Sequence, residues 1–349
     1  MIHANYLLIG TYTSGDSKGI RLYAFDQESG GSRFIQETEI ENPSYLTVSR
    51  NGKYIYAVSE NEQNPCYINA FAFDRENEKI IFLNRQETYG AAPCYVELDT
   101  MGKHAVTANY AGGNISVFSI DYDGGLSDII QKIDFEGCGV NASRQDAPHL
   151  HSIKFSPEGN YLFATDLGTD HIYRIKINHD DGHTYLDEKS IQYFPVQPGS
   201  GPRHILFHPS GKFLFLITEL KGEVISYHYK DNSFQEIQAE VIDQVGGNEA
   251  GSIDITPDGN FLYASSRTVN DGIAVFAIDR ETGAMQKISY LNTGIHPRHI
   301  KVTPNGKYLL VANRDSNSIE IYSINKVTGL LTKTDKTIEV DQPVCVEFI

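Results

Sequence analysis

The sequence predicts an all-β fold, a seven-bladed β-propeller with four antiparallel strands per blade, on three observations. A glycine turn followed by an apolar-aromatic run recurs along the chain, at Asn51-Gly52-Lys53-Tyr54, Met101-Gly102-Lys103, Pro157-Glu158-Gly159-Asn160-Tyr161, Pro209-Ser210-Gly211-Lys212-Phe213, Pro257-Asp258-Gly259-Asn260-Phe261 and Pro304-Asn305-Gly306-Lys307-Tyr308. Its glycines, at 52, 102, 159, 211, 259 and 306, lie 47 to 57 residues apart, the spacing of a propeller or solenoid. Each unit holds four short β-type runs, and no segment keeps a helical period over three turns. Finally, the two ends of the chain fall in the middle of a unit.

The elements follow from the pattern. In the unit near Tyr45 the runs are Tyr45 to Val48, Tyr54 to Ser59, Tyr67 to Phe73 and Ile80 to Arg85, here named strands a, b, c and d, with a innermost. Gly, Asn and Asp fill the gaps, as hairpin loops require, and Gly112-Gly113 and Gly246-Gly247 read as loop glycines. The N-terminal run Tyr6 to Thr11 is a b strand with no a strand before it. Val344 to Phe348 is an a strand with no b strand after it. The two ends are therefore expected to complete one blade, with the tail beside residues 5–11, which removes exposed sheet edges. Strands a near residues 45, 95, 152, 205, 253, 300 and 346 count seven blades, and residues 1–349 are expected to form a single domain.

Composition limits the partners. The 349 residues are 40% hydrophobic and 11% aromatic, ample for a packed core, and carry a formal net charge of −16. That charge argues against nucleic acid and anionic membrane, which need a basic face. Met1-Ile2-His3-Ala4-Asn5-Tyr6 has no basic start or long apolar run, so no signal peptide is expected. Cys66, Cys94, Cys138 and Cys345 lack metal or redox spacing and read as reduced thiols. A cytoplasmic protein, monomeric or weakly dimeric, is expected.

Strands a and b are antiparallel, so the start of a and the end of b share one face near the propeller axis. The a starts follow a repeated proline: Pro43-Ser44, Pro93-Cys94, Pro148-His149-Leu150-His151, Pro202-Arg203-His204, Pro297-Arg298-His299 and Pro343-Val344; the fifth unit has Ala250-Gly251-Ser252 instead. The b strands end at Glu60, Tyr110, Leu167, Glu219, Arg267 and Arg314, preceded by Ser59, Asn109, Asp166, Thr218, Ser266 and Asn313. An acidic protein is thus expected to gather His149, His151, Arg203, His204, Arg267, Arg298, His299 and Arg314 around one mouth, with Glu219 among them. Such a basic pocket suits a small anion, because arginine grips carboxylate or phosphate through paired hydrogen bonds.

Each residue also has a structural reading. His204, Arg298, His299 and Arg314 serve equally well as caps of blade ends, and His151 reads as packing. Asn109 and Asp166 are expected to tie b strands to the next blade. Glu219 with Arg203 and Arg267 reads as function, since one carboxylate among cations is hard to explain as packing. Glu60, Asn109, Asp166 and Glu219 offer oxygens that a divalent ion would use, but the arginines disfavour a cation, so neither metal nor cofactor is expected. No Gly-x-Ser-x-Gly elbow, phosphate-cradling glycine loop or His-Glu-x-x-His signature is present.

Ala108-Asn109-Tyr110-Ala111-Gly112-Gly113-Asn114-Ile115-Ser116-Val117, Pro148-His149-Leu150-His151-Ser152 and Thr165-Asp166-Leu167-Gly168-Thr169-Asp170 resemble the seven-bladed propeller lactonase family. So do Gly10-Thr11-Tyr12-Thr13, Gly201-Pro202-Arg203-His204, Leu262 to Arg267 and Pro297-Arg298-His299, and the resemblance covers essentially the whole chain. The family includes bacterial propeller-type 6-phosphogluconolactonases and fungal 3-carboxy-cis,cis-muconate lactonizing enzymes. Its proposed active-site residues fall by motif on His149, Arg203, Glu219 and Arg267. The family's fifth b-to-c turn usually carries a histidine. Here it reads Ser265-Ser266-Arg267-Thr268-Val269-Asn270-Asp271-Gly272, one residue longer and without it.

The resemblance implies a hydrolase that opens a sugar lactone, foremost 6-phospho-D-glucono-1,5-lactone of the pentose phosphate route in glucose metabolism. Glu219 would be general base to a water, Arg203 and Arg267 would stabilise the oxyanion or hold the phosphate, and His149 would position the water or protonate the leaving oxygen. Glu60, Asn109, His204, Arg298, His299 and Arg314 are expected to bind substrate. The alternatives are cycloisomerisation of a carboxylated muconate, opening of an unphosphorylated lactone, or a non-enzymatic propeller displaying loops to a protein. Distinctive residues at the axis rather than on rim loops favour a small-molecule site.

Overall fold

The computed structural model describes residues 5–179, 184–246 and 249–349. Of the expected loop glycines, Gly247 lies outside them. All regular structure among the described residues is strand, in seven four-stranded antiparallel sheets, so the protein is an all-β seven-bladed propeller. No helix is long and apolar enough to cross a membrane. The chain divides into two compact units, residues 40–203 and residues 1–39 with 204–349.

The unit of residues 40–203 holds blades 1 to 3, whose a strands are Leu46–Val48, Pro93–Leu98 and Leu150–Phe155. The other unit holds the rest of blade 4 (strand a, Pro202–Phe207, begins just before the boundary), blade 5 (strand a, Ala250–Ile255), blade 6 (strand a, Pro297–Val302) and blade 7. Apolar clusters form where neighbouring blades face each other. Val106, Ile115 and Val117 of blade 2 pack with Ile153, Leu162 and Ile175 of blade 3. Phe215 and Ile217 of blade 4 pack with Leu262 and Phe276 of blade 5.

The marker glycines explain the repeat. All six have positive φ, from 64° to 76°, a region where a Cβ costs roughly 1–2 kcal/mol. Each closes the same a-to-b turn. The glycine N–H donates to the carbonyl three residues back, at Ser49, Asp99, Ser156, His208, Thr256 and Thr303. The N–H of each of these residues donates in turn to the carbonyl that opens strand b. The turn that identifies the unit in sequence therefore also sets its a-to-b register.

Blade 7 closes as expected. Pro343–Phe348 pairs antiparallel with Asn5–Thr11, with Leu7 opposite Phe348 and Ile9 opposite Val346, and Tyr6 exchanges two backbone hydrogen bonds with Ile349. Val346, Phe348, Leu7 and Ile9 join Leu310 and Ile321 of blade 6 in one buried cluster. Deleting residues 344–349 is expected to strip the hydrogen bonds that Tyr6 and Leu8 make to the closing strand and open this cluster, abolishing cooperative unfolding in circular dichroism. The milder Val346→Ala should keep the fold and cost about 2 kcal/mol in urea denaturation. A deletion variant with an unchanged melting temperature would refute the role of the closing strand.

Candidate active site

In five blades the residue that follows strand b donates its N–H to the carbonyl of the residue that precedes strand a, and in blade 1 the acceptor lies four residues before the strand. The pairs are Tyr12 to Gln342, Glu60 to Asn42, Tyr110 to Ala92, Leu167 to His149, Arg267 to Glu249 and Arg314 to His296, all at 2.8–3.0 Å. A register shift follows the first a-to-b pair. Pro93 faces Asn109 and Tyr95 faces Ala108; Leu150 faces Asp166 and Ser152 faces Thr165; Pro297 faces Asn313 and His299 faces Ala312. Cys94, His151 and Arg298 are therefore bulged residues, a device that re-aims a side chain. Blade 3 corrects the proline-based alignment, because Leu150 rather than Pro148 occupies the first paired position. His149 is thus the counterpart of His296, and His151 is the counterpart of Arg298.

In the unit of residues 1–39 and 204–349, Glu219 and Arg267 form a buried ion pair, Arg267 Nη2 to Glu219 Oε2 at 3.2 Å, with side chains 6% and 3% exposed. The start of blade 5 assembles it. Ala250 donates its N–H to the Glu219 carbonyl at 3.1 Å. Arg267 donates from Nε to the Glu249 carbonyl at 3.1 Å and from Nη2 to the Ala250 carbonyl at 2.8 Å. Gly251 stands where blade 6 has Arg298, because a Cβ there would lie 2.8 Å from the Pro297 carbonyl and 3.3 Å from Arg267 Cδ.

His296, unnoticed in the sequence, lies between two arginines. Its Nε2 is 3.3 Å from Arg267 Nη1 and its Nδ1 is 3.2 Å from Arg314 Nη2 and 3.6 Å from Asp315 Oδ2. Burial, then Arg267, Arg314 and Arg298, push the imidazole down to about 3, against Asp315. Its backbone N–H donates to Asp271 Oδ1 at 2.8 Å. The fifth b-to-c turn thus lacks a histidine, but its Asp271 anchors one from blade 6. His296 has a φ of 60°, yet Asn42, Ala92, Gly201 and Gln342 at the equivalent positions are also left-handed, so this geometry belongs to the architecture. The signal for His296 was its place one residue before the Pro-Arg-His motif.

Arg314 is gripped by Asp315 at two points, Nε to Oδ1 at 2.6 Å and Nη2 to Oδ2 at 3.0 Å. The Arg298 guanidinium lies 5.2 Å over the Tyr12 ring. His204 is buried, and His299 Nδ1 accepts the Val346 N–H at 3.2 Å, which ties it to the closing strand.

In the unit of residues 40–203, His149 stacks on Tyr110 with centroids 4.4 Å apart. Its Nδ1 must carry hydrogen to face the Tyr110 carbonyl at 3.0 Å, leaving Nε2 3.3 Å from the exposed Asp146. Asp166 accepts from the N–H groups of His149 at 2.7 Å and Gly168 at 2.8 Å and from the Thr169 hydroxyl at 2.7 Å; burial pushes its carboxyl up against these bonds. A Cβ on Gly168 would lie 1.8 Å from the Ala147 carbonyl, so this motif packs tightly against the loop bearing His149. Asn109 is wholly buried and its amide engages Asn114, Ser116 and Thr107. Asn109 and Asp166 therefore brace their own blades rather than tie strand b to the next one. His151 lies 3.8 Å from Cys94 Sγ, Arg203 is buried with its carbonyl accepting from the Thr165 hydroxyl at 2.7 Å, and Glu60 is half-buried. None of the four cysteines is in a disulfide, and no group of three or more metal-ligating side chains occurs among the described residues.

Residues 6–348 match the family model described as "Lactonase, 7-bladed beta-propeller". The chain is 36% identical to the 6-phosphogluconolactonase of Formosa agariphila over 96% of this chain and 97% of that one. A Bacteroides fragilis crystal structure is 46% identical, with a TM-score of 0.96 and coverage of 99% and 98%. The structure of the Pseudomonas aeruginosa periplasmic gluconolactonase PpgL is 28% identical, with a TM-score of 0.93 and 99% of each chain covered.

His296 also gives the site a signature in stability. Its folded imidazole titrates far below the ordinary value near 6.5, so its contribution is complete above that value and is lost as pH falls toward 3. Between pH 6.5 and 5 this amounts to about 1–2 kcal/mol. Urea denaturation should show wild type losing that much more than His296→Gln over this interval; identical losses would place His296 in a different environment.

Proposed function

The chain belongs to the seven-bladed β-propeller lactonase family, and on that premise we propose that it hydrolyses 6-phospho-D-glucono-1,5-lactone to 6-phosphogluconate. The observation that carries this reading is the buried Glu219–Arg267 pair. A carboxylate held in a dry site by an arginine fixed on backbone carbonyls is oriented to take a proton from water. In this reading water adds to the lactone carbonyl, Glu219 receives its proton, and the tetrahedral oxyanion forms near the Arg267 charge. The C–O bond to the ring oxygen then breaks, and that oxygen leaves protonated. His149 and Arg203 stand as proposed catalytic residues on the resemblance alone.

We read residues 1–349 as a single domain, supported by a family match that runs nearly end to end. We place the enzyme in the cytoplasm and in the pentose phosphate route, as a monomer or weak homodimer, with no nucleic acid or membrane partner and no metal or cofactor. Asn109 is omitted from the substrate contacts because its amide is already engaged. The second reading is an unphosphorylated sugar lactone, favoured by the likeness to the Pseudomonas aeruginosa gluconolactonase.

The test is a lactone-opening assay on phosphorylated and plain gluconolactone, corrected for spontaneous hydrolysis. Wild type should prefer the phosphorylated lactone. Glu219→Gln should fold normally and lose about 10²–10⁴-fold in kcat, the usual range for a general base. Near-wild-type turnover in that variant would remove Glu219 from the mechanism, and a preference for plain lactone would install the second reading.

A further inference from the structure

Outward from Glu219, contacts run through Arg267, His296 and Arg314 to Asp315, and exposure rises along them. The rise comes beyond His296: Glu219, Arg267 and His296 are 6%, 3% and 7% exposed in their side chains, Arg314 is 28% and Asp315 is 42%. The inner end is closed and the outer end meets solvent.

The hydrogens can be placed. A neutral imidazole has one N–H and one acceptor, so its nitrogens cannot both accept from arginines. The tautomer that points Nδ1–H toward Asp315 Oδ2 leaves Nε2 to accept from Arg267 Nη1. Arg314 is then oriented chiefly by Asp315, which holds Nε and Nη2 with two oxygens. Phosphate uses the same paired geometry on arginine. Both Arg298 and Arg314 act electrostatically on His296 and Asp315. Arg267, by contrast, already serves two carbonyls, Glu219 and His296.

We infer that Arg314, with Arg298 beside it, receives the phosphate monoester of the substrate by displacing the Asp315 carboxylate, while Arg267 serves the lactone end. Asp315 is then a stand-in anion that keeps the Arg314 fork set and must yield to a doubly charged competitor. The assignment rests on the lactonase reading and gives the arginines separate tasks.

Two measurements test it. The first is calorimetric binding of inorganic phosphate to the folded protein, which needs no turnover. Wild type should bind, Asp315→Asn should bind several-fold more tightly, and Arg314→Ala should bind about 10- to 100-fold more weakly, the range for losing a charged hydrogen bond. The second is the two-lactone assay, in which Arg314→Ala should raise KM for the phosphorylated lactone by a similar factor, far more than for the plain one. Equal phosphate affinity in wild type and Arg314→Ala, or equal damage to both lactones, overturns the assignment. Wild type that binds phosphate through Arg314 but opens neither lactone would overturn the lactonase reading and leave the anion site standing.

Discussion

One backbone hydrogen bond, formed in six blades, governs the site: the N–H that follows strand b meets a carbonyl just ahead of strand a. It is found at Arg267 with Glu249 and at Arg314 with His296, and equally at Leu167 with His149. Because it joins backbone to backbone, it does not depend on which side chains are present. Each blade therefore delivers two adjacent positions to one end of its sheet, and the sequence is free to place chemistry there. The bulge after the first a-to-b pair adds a third such position. Blade 6 fills all three with charge or imidazole, at His296, Arg298 and Arg314. Blade 5 fills the bulge with Gly251, and the space so left is what lets Arg267 reach Glu219.

Burying Glu219 with Arg267 is costly unless remaining donors and acceptors are met, since desolvation of two charges can exceed their attraction. Carbonyl oxygens of Glu249 and Ala250 and the ring of His296 meet the arginine. Elsewhere the same fold places charge for stability alone. Lys154 pairs with Glu97 between blades 3 and 2, and Lys301 pairs with Glu347 between blades 6 and 7. These pairs bridge neighbouring innermost strands with side chains 22–29% exposed and register one blade on the next.

The blade count, the closing strand and the glycine turns were legible because each rests on local chemistry with a fixed spacing. Left-handed glycine and alternating strands leave marks in a single sequence. The register of blade 3 was not legible. Proline is a natural anchor for a strand start, but hydrogen bonds set register and Pro148 precedes its strand by two residues. Only the pairing of Leu150 with Asp166 reveals that His149 and His296 are counterparts. Asn109 misled for a related reason: a polar residue at the end of strand b faces either the mouth or its own hairpin. Asn114 and Ser116 on strand c decide for the hairpin.

That ambiguity separates two kinds of residue at the blade ends. The last residue of strand b points into the blade, so Asp166 and Asn109 are saturated by hydroxyl, amide and backbone partners. The next residue has left the sheet, so Glu219 and Arg267 there meet each other across two blades and Arg314 meets the loop residues His296 and Asp315 of its own. Position relative to the last ladder pair, rather than residue type, thus distinguishes a brace from a candidate for chemistry. On this criterion Glu219, Arg267 and Arg314 stand on the functional side, and His299, whose ring accepts a backbone N–H of the closing strand, stands on the structural one.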